Sequence, residues 1–269
     1  MSKKTWVGLG CVGCVVLLSL VALAFPKDRP PVLKPIKLVA THDHDATAFS
    51  QGLVIHDGEM FEGTGQYGNS CLRKVDVQTG KVLENIPLSK EYFGEGITLL
   101  NGNIYQLTWR EKICFVYNAA TLKQIATFRF TGKGWDAQQE GWGLANDGKY
   151  LYMSDGTSNI RVIDPENFNV VRQIRVHAGP RKVDKLNELE FVKGELLANV
   201  WYSDHIARIS PKSGEVLGWL DASQLFPAAQ RPSREHVLNG IAFDQVTGKL
   251  YLTGKNWPQL FEVQLPEPP

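Results

Sequence analysis

Tyr92-Phe93-Gly94-Glu95-Gly96-Ile97-Thr98-Leu99-Leu100 sets a lone carboxylate between two glycines, directly ahead of an apolar run. An acid held between a turn and a strand can point into a cleft. Phe49-Ser50-Gln51-Gly52, followed by Leu53-Val54-Ile55, has the same layout. The two stretches read as copies of one loop, and more copies follow. Later units begin at Gly143-Leu144-Ala145, Glu188-Leu189-Glu190-Phe191 and Gly240-Ile241-Ala242-Phe243, so unit starts lie 44, 47, 45 and 52 residues apart.

Each start leads to a turn signal: His56-Asp57-Gly58, Asn101-Gly102, Asn146-Asp147-Gly148, Lys193-Gly194 and Val246-Thr247-Gly248. Second strands are expected at 60–63, 104–107, 150–153, 196–199 and 250–253, and third strands at 72–75, 113–116, 160–163, 206–209 and 260–263. The first four units continue through another turn to a fourth strand; Thr79-Gly80 and Ser213-Gly214 are the clearest of these turns. Short strands at this spacing indicate an all-β chain. Four strands per repeat of about 45 residues is the arithmetic of a β-propeller, here with five blades. The fifth unit ends at Leu265 after three strands, and the orphan strand at 36–41 is placed to supply the fourth and close the ring. Closure would leave no large exposed sheet edge. Segments 177–182 and 221–236 interrupt the repeat; insertions in a propeller gather on one face and shape binding sites.

The 269-residue chain divides into an apolar segment at 1–25, a Pro- and Lys-rich tether at 26–35, the propeller at 36–265 and a tail at 266–269. Lys3 and Lys4 precede an uncharged run at 5–25, which reads as a signal peptide, with Ala22-Leu23-Ala24 as its cleavage site, or as an uncleaved anchor long enough to span a bilayer. Either reading puts the body outside the cytoplasm, periplasmic or secreted. A net charge of +1, with Lys and Arg scattered among acids and no basic stripe, does not suggest a nucleic-acid partner, and none is expected. Cys11 and Cys14 sit in the apolar run without the pattern of a redox motif, and sequence leaves open whether Cys71 and Cys114 are bridged or free. His42-Asp43-His44-Asp45 reads as a metal site or as a polar turn before the first loop.

Equivalent propeller loops converge around one mouth. The residues ahead of each first strand are Gln51, Glu95, Trp142 (with Glu140 nearby), Asn187 and Asn239. Loops after the second strands add Trp109, Trp201-Tyr202 and Lys255-Asn256-Trp257, and Trp135 precedes unit three. One Trp alone is more often packing than ligand contact, and a lone Lys is usually solvated. Brought to one mouth, these residues suit a small polar ligand with an apolar side. No phosphate loop, serine-nucleophile elbow or His-x-x-x-His zinc motif occurs.

His44-Asp45-Ala46-Thr47-Ala48-Phe49-Ser50-Gln51-Gly52-Leu53 resembles the opening motif of the plant and bacterial glutaminyl-peptide cyclotransferases. Phe93-Gly94-Glu95-Gly96, Gly141-Trp142-Gly143-Leu144, Leu186-Asn187-Glu188-Leu189-Glu190, Val200-Trp201, Leu238-Asn239-Gly240-Ile241-Ala242 and Thr253-Gly254-Lys255-Asn256-Trp257-Pro258 match that family in order, from about Lys37 to Leu265. Ser50 stands where the family usually has Thr. The resemblance implies a five-bladed propeller that converts an N-terminal glutamine of peptides or proteins into pyroglutamate and releases ammonia. It implies no catalytic metal, and allows a structural ion in the central channel. It implies Glu95 as acid/base, with Gln51, Asn187, Trp201 and Lys255 lining the pocket beside Phe49, Phe93, Trp109, Trp135, Trp142 and Asn239. A monomer is expected, touching a membrane only through its N-terminal segment. The competing readings are a non-catalytic propeller that binds peptides or sugars on a Trp-rich face, and a metal-dependent hydrolase, for which this mouth offers few carboxylates.

Overall fold

A computed structural model describes residue 1, residues 31–136 and residues 139–266. The expected signal or anchor, Cys11 and Cys14, the tether up to residue 30 and the tail from 267 lie outside the described residues. Within them no helix is long and apolar enough to cross a membrane.

The chain forms five antiparallel four-stranded blades in sequence order. Blade one comprises Ser50–His56, Glu59–Thr64, Cys71–Val75 and Val82–Pro87, and blade two Gly94–Leu100, Asn103–Thr108, Ile113–Asn118 and Gln124–Arg129. Blade three comprises Leu144–Asn146, Leu151–Ser154, Asn159–Ile163 and Val170–Arg175, and blade four Leu186–Val192, Glu195–Val200, His205–Ile209 and Val216–Asp221. Blade five has Leu238–Phe243, Leu250–Gly254 and Gln259–Gln264, and takes its outer strand, Lys37–Asp43, from the start of the body. That strand pairs antiparallel with Gln259–Gln264, so the ring closes as the repeat arithmetic requires.

Alternating apolar side chains fill the spaces between neighbouring blades. Val54, Phe61 and Leu72 of blade one pack with Ile97, Ile104 and Ile113 of blade two. On the other face of blade one, Leu53, Ile55 and Met60 meet Ala242, Tyr251 and Leu260 of blade five. Each blade is thus buried on both sides only by its neighbours, which is why single repeats of this kind do not stand alone.

The inner strands crowd the axis. A Cβ on Gly52 would lie 2.4 Å from the backbone nitrogen of Ile97, one on Gly96 2.6 Å from the Trp142 carbonyl oxygen, and one on Gly143 2.0 Å from the Asn187 carbonyl oxygen. Glycine is therefore a steric requirement at these unit starts. Blade four breaks the pattern with Glu188, whose carboxyl group accepts the N–H groups of Leu53 at 3.4 Å and Ile241 at 3.0 Å. One fully buried side chain thereby ties blades four, five and one across the axis.

Two expectations are amended. The tether ends in a strand: Leu33–Pro35 lies parallel to Trp219–Asp221 on the rim of blade four, making that sheet five-stranded. An outer edge has free N–H and C=O groups to offer, and there Pro is tolerated. Nor is 42–45 a simple polar turn. His44 is buried, with Nδ1 2.7 Å from the Trp257 carbonyl oxygen and Nε2 3.1 Å from Glu62. Glu62 also accepts the Ser50 hydroxyl and the Arg73 guanidinium, and Arg73 in turn reaches Asp45 at 2.7 Å. The motif is a buried polar seam between the closing segment and blades one and five. Cys71 and Cys114 are buried free thiols.

Candidate active site

Inner strands slip register against their second strands at one equivalent place, between Ser50 and Gly52, Gly94 and Ile97, Leu186 and Leu189, and Leu238 and Ile241. Such bulges re-aim side chains out of the sheet's alternation. The first residues inside them are Gln51, Glu95, Asn187 and Asn239, four of the positions that sequence placed at the mouth.

Glu95 is 5 % exposed, and its carboxyl group makes no hydrogen bond or ion pair with any described residue. Burial pushes its pKa well above the usual carboxylate range; the Lys255 charge pulls against this, and Glu140 and Glu111 add to the rise. Lys255, 6 % exposed, is shifted the other way: burial lowers its pKa, opposed by Glu95 and Glu235. Its ammonium lies 4.6 Å from the Phe49 ring centroid. Acid and cation thus sense each other without closing into a pair, which leaves both for a third party.

Aromatic rings wall this space. Phe93 meets Phe49 edge-on at 6.2 Å, Tyr67 edge-on at 5.4 Å and Trp109 tilted at 5.4 Å. Trp142 is edge-on to Trp201 at 5.5 Å, and Trp201 stacks on Tyr202 at 4.3 Å. Gly65 fits between Phe93 and Gln51: a Cβ there would be 2.4 Å from the Phe93 ring and 3.1 Å from the Gln51 side chain.

The amides are oriented. Asn239 donates to the Gln51 side-chain oxygen at 3.1 Å and to the Ser50 carbonyl at 2.9 Å, so Gln51 turns its NH2 group away. The side-chain oxygens of Asn187 and Asn239 are buried without a partner among the described residues. Buried acceptors left open cost stability and point to a missing donor. A cleft of about 730 Å3 adjoins the site, with Phe49, Gly65, Asn69, Arg73 and Asn256 on its walls; Glu95 is not among them.

Trp135 is not brought into this group. It stacks at 4.8 Å on Phe130 and at 5.7 Å on Phe168, and gives its indole N–H to the Phe168 carbonyl. Its place in the loop order suggested the mouth, but its ring face is spent on packing between blades two and three. Two acids take roles that the sequence did not assign: Glu140, noted only as lying near Trp142, and Glu111. Glu140 accepts the indole N–H groups of Trp109 and Trp142, and Glu111 accepts the Tyr67 hydroxyl at 2.8 Å. No residue-type pattern in the sequence announces an acid whose function is to hold neighbouring rings.

For an ion in the central channel, the side chains that could act as ligands include the carboxylates, imidazoles and thiols of the described residues. No group of three or more His, Cys, Asp or Glu side chains is placed to hold one. Glu188, the carboxyl group at the axis, has burial raising its pKa well above the usual range, helped by Glu190, and both its oxygens face backbone N–H donors. Glu188 is thus spent on backbone donors and offers no free lone pair to an ion.

The chain is similar to known proteins along most of its length. A profile of the glutamine cyclotransferase family matches residues 12–265, beginning well ahead of the stretch in which the motifs were recognised. A glutaminyl-peptide cyclotransferase of Arabidopsis thaliana is 42 % identical over 236 residues, covering 87 % of this chain and 72 % of that protein. The crystal structure of Myxococcus xanthus glutaminyl cyclase superposes with a TM-score of 0.79 at 34 % identity, covering 87 % of this chain and 97 % of that one.

Proposed function

The chain belongs to the glutamine cyclotransferase family, and on that premise we propose that it converts the N-terminal glutamine of peptides or proteins into pyroglutamate, with Glu95 moving the protons. In this reaction the α-amine forms a bond to the glutamine's own δ-carbon, and the bond from that carbon to the side-chain nitrogen breaks. The attacking amine must be neutral, and an α-amino group has a pKa near 8. Glu95 as carboxylate takes the proton that the attacking nitrogen sheds and returns it to the nitrogen leaving as ammonia. The two nitrogens sit on one tetrahedral carbon, within reach of one carboxyl group.

Charge develops on the carbonyl oxygen during attack. The Gln51 NH2 group, the Lys255 ammonium and the Trp201 indole N–H are the donors left to meet it, since Trp109 and Trp142 give theirs to Glu140. The open oxygens of Asn187 and Asn239 suit N–H groups of the substrate. The aromatic walls fold the glutamine side chain back towards its amine, which lowers the entropic part of the barrier. The scheme draws on no metal.

The observation that carries this reading is the unpartnered, buried carboxyl group of Glu95. A module that only binds peptides or sugars gains nothing from a carboxyl group kept buried without a partner, and such a group is costly. Ammonia release from a Gln-peptide, measured in EDTA, tests it. Glu95→Gln keeps the shape and removes the shuttle, and kcat is expected to fall by roughly two to four orders of magnitude at an unchanged Tm. Turnover by that variant within a fewfold of wild type overturns the role of Glu95, and loss of wild-type activity in EDTA overturns the metal-free scheme. The apolar run at 5–25 supports an extracytoplasmic location. Protease added outside an intact inner membrane is expected to reach the body, and full protection by that membrane contradicts this.

A further inference from the structure

We propose that Glu140 is a positioning residue: its carboxylate clamps two indoles from adjacent blades and so holds two walls of the space around Glu95. One oxygen receives the N–H of Trp109 at 2.6 Å and that of Trp142 at 3.0 Å, and the other receives the Arg110 guanidinium at 3.2 Å. Arg110 also lies over the Trp109 ring, 3.8 Å from its centroid. Trp109 follows the second strand of blade two, and Trp142 leads into blade three. The backbone follows the same path, for Gly141 donates its N–H to the Trp109 carbonyl at 3.0 Å.

Both indoles are neighbours of the catalytic loop. Trp109 packs on Phe93, two residues before Glu95. The Trp142 carbonyl accepts the N–H of Gly96, one residue after Glu95, at 2.8 Å. Side chains occupy discrete rotamers, and the bonds at the indole edges favour one for each ring. Hydrogen bonds to an ionised acceptor are about twice as strong as neutral ones. Glu140 lies outside every strand, so its carboxylate is not needed to complete a blade. Its charge also acts on Glu95: the groups that face Glu95 are Lys255, Glu140 and Glu111, with Arg110 beside Glu140 and Glu235 beside Lys255.

This inference rests on the reading of Glu95 as proton carrier, and two substitutions separate its parts. Glu140→Ala removes acceptor and charge together. KM for a Gln-peptide is expected to rise about tenfold or more, because both walls lose their anchor and misplacement of about 1 Å is that costly. Glu140→Gln keeps an oxygen that both N–H groups can use, so KM recovers to within about threefold of wild type. The lost negative charge lowers the Glu95 pKa, and the acid limb of kcat moves to lower pH. Glu140→Ala with kcat and KM within twofold of wild type overturns the proposal. So does Glu140→Gln if it is as impaired as Glu140→Ala with an unmoved acid limb. Should Glu140→Ala fail to fold, Trp109→Phe and Trp142→Phe delete the same N–H groups and put a smaller aromatic ring in each place; a wild-type KM in both overturns the clamp. An active Glu95→Gln would sink the proton-transfer reading separately, leaving the KM response as the test of the clamp.

Discussion

Glu95 and Lys255 form a coupled couple whose offsets have opposite sign. Burial raises the acid and lowers the base, and each charge works against the other's shift. If Glu95 must be ionised to accept the amine's proton, kcat rises with pH through its pKa, above the usual carboxylate range. Lys255→Met removes the positive charge that favours the ionised form. The acid limb of kcat is therefore expected to move to higher pH, opposite to Glu140→Gln, beside a loss of rate from the missing donor. A limb that stays in place shows that the two groups do not interact, and one that moves down contradicts the sign of the interaction. At this scale the sequence told which residues meet, because repeat position places loops at one mouth. It did not tell who holds whom. Trp135 had the right loop and spends its face on Phe130 and Phe168; Glu140 and Glu111 had no signature beyond being acids near aromatics.

Among the elements, strand positions followed from turn signals and alternation, and the register slips did not. A bulge has no residue code of its own beyond a glycine, and here the glycines serve close packing as well. Blade four shows the limit, since Glu188 stands where three other starts have a glycine jammed against its neighbour. The seam from the closing strand to blade one is the second feature hidden from sequence, because His44, Glu62 and Arg73 are far apart in the chain. Burial alone would raise the Glu62 pKa, but His44, Arg73 and the Ser50 hydroxyl hold it at about 2. Asp45 is likewise raised by burial and brought to about 2 by Thr47 and Arg73. Depressed acids contribute stability above their unfolded values and lose it as pH falls through the folded ones, here between about 4.5 and about 2. His44 has the opposite sense: burial pulls its pKa down, Glu62 outweighs that and raises it, and its contribution fades as pH rises through the raised value. Glu62→Gln breaks a fully buried charge pair and is expected to cost about 3 kcal/mol or more, lowering Tm by roughly 6 °C or more. It should also flatten the dependence of Tm on pH on the acid side. An unchanged Tm would mean that Asp45 alone satisfies Arg73.

For the molecule as a whole, the period and the missing fourth strand of unit five were enough to infer a closed five-bladed ring. The parallel strand on blade four was not foreseen, because 33–35 reads only as proline-rich chain and its partner is an edge, not a pattern. Deleting 36–41 would bare the outer face of Gln259–Gln264 along its length. Loss of cooperative unfolding, or a large fall in Tm, is expected; a deletion variant that melts like the full chain removes closure as a source of stability.

That same closure imposes an order of events in time. Lys37–Asp43 is among the first parts of the body to be synthesised, and its partner, Gln259–Gln264, is among the last. No intermediate chain length offers the early strand its native neighbour. The loop to be closed is long, and contacts of such separation slow folding and expose unpaired strands to aggregation. The early blades can assemble against one another while the chain grows, but the ring can lock only once Gln259–Gln264 has been made.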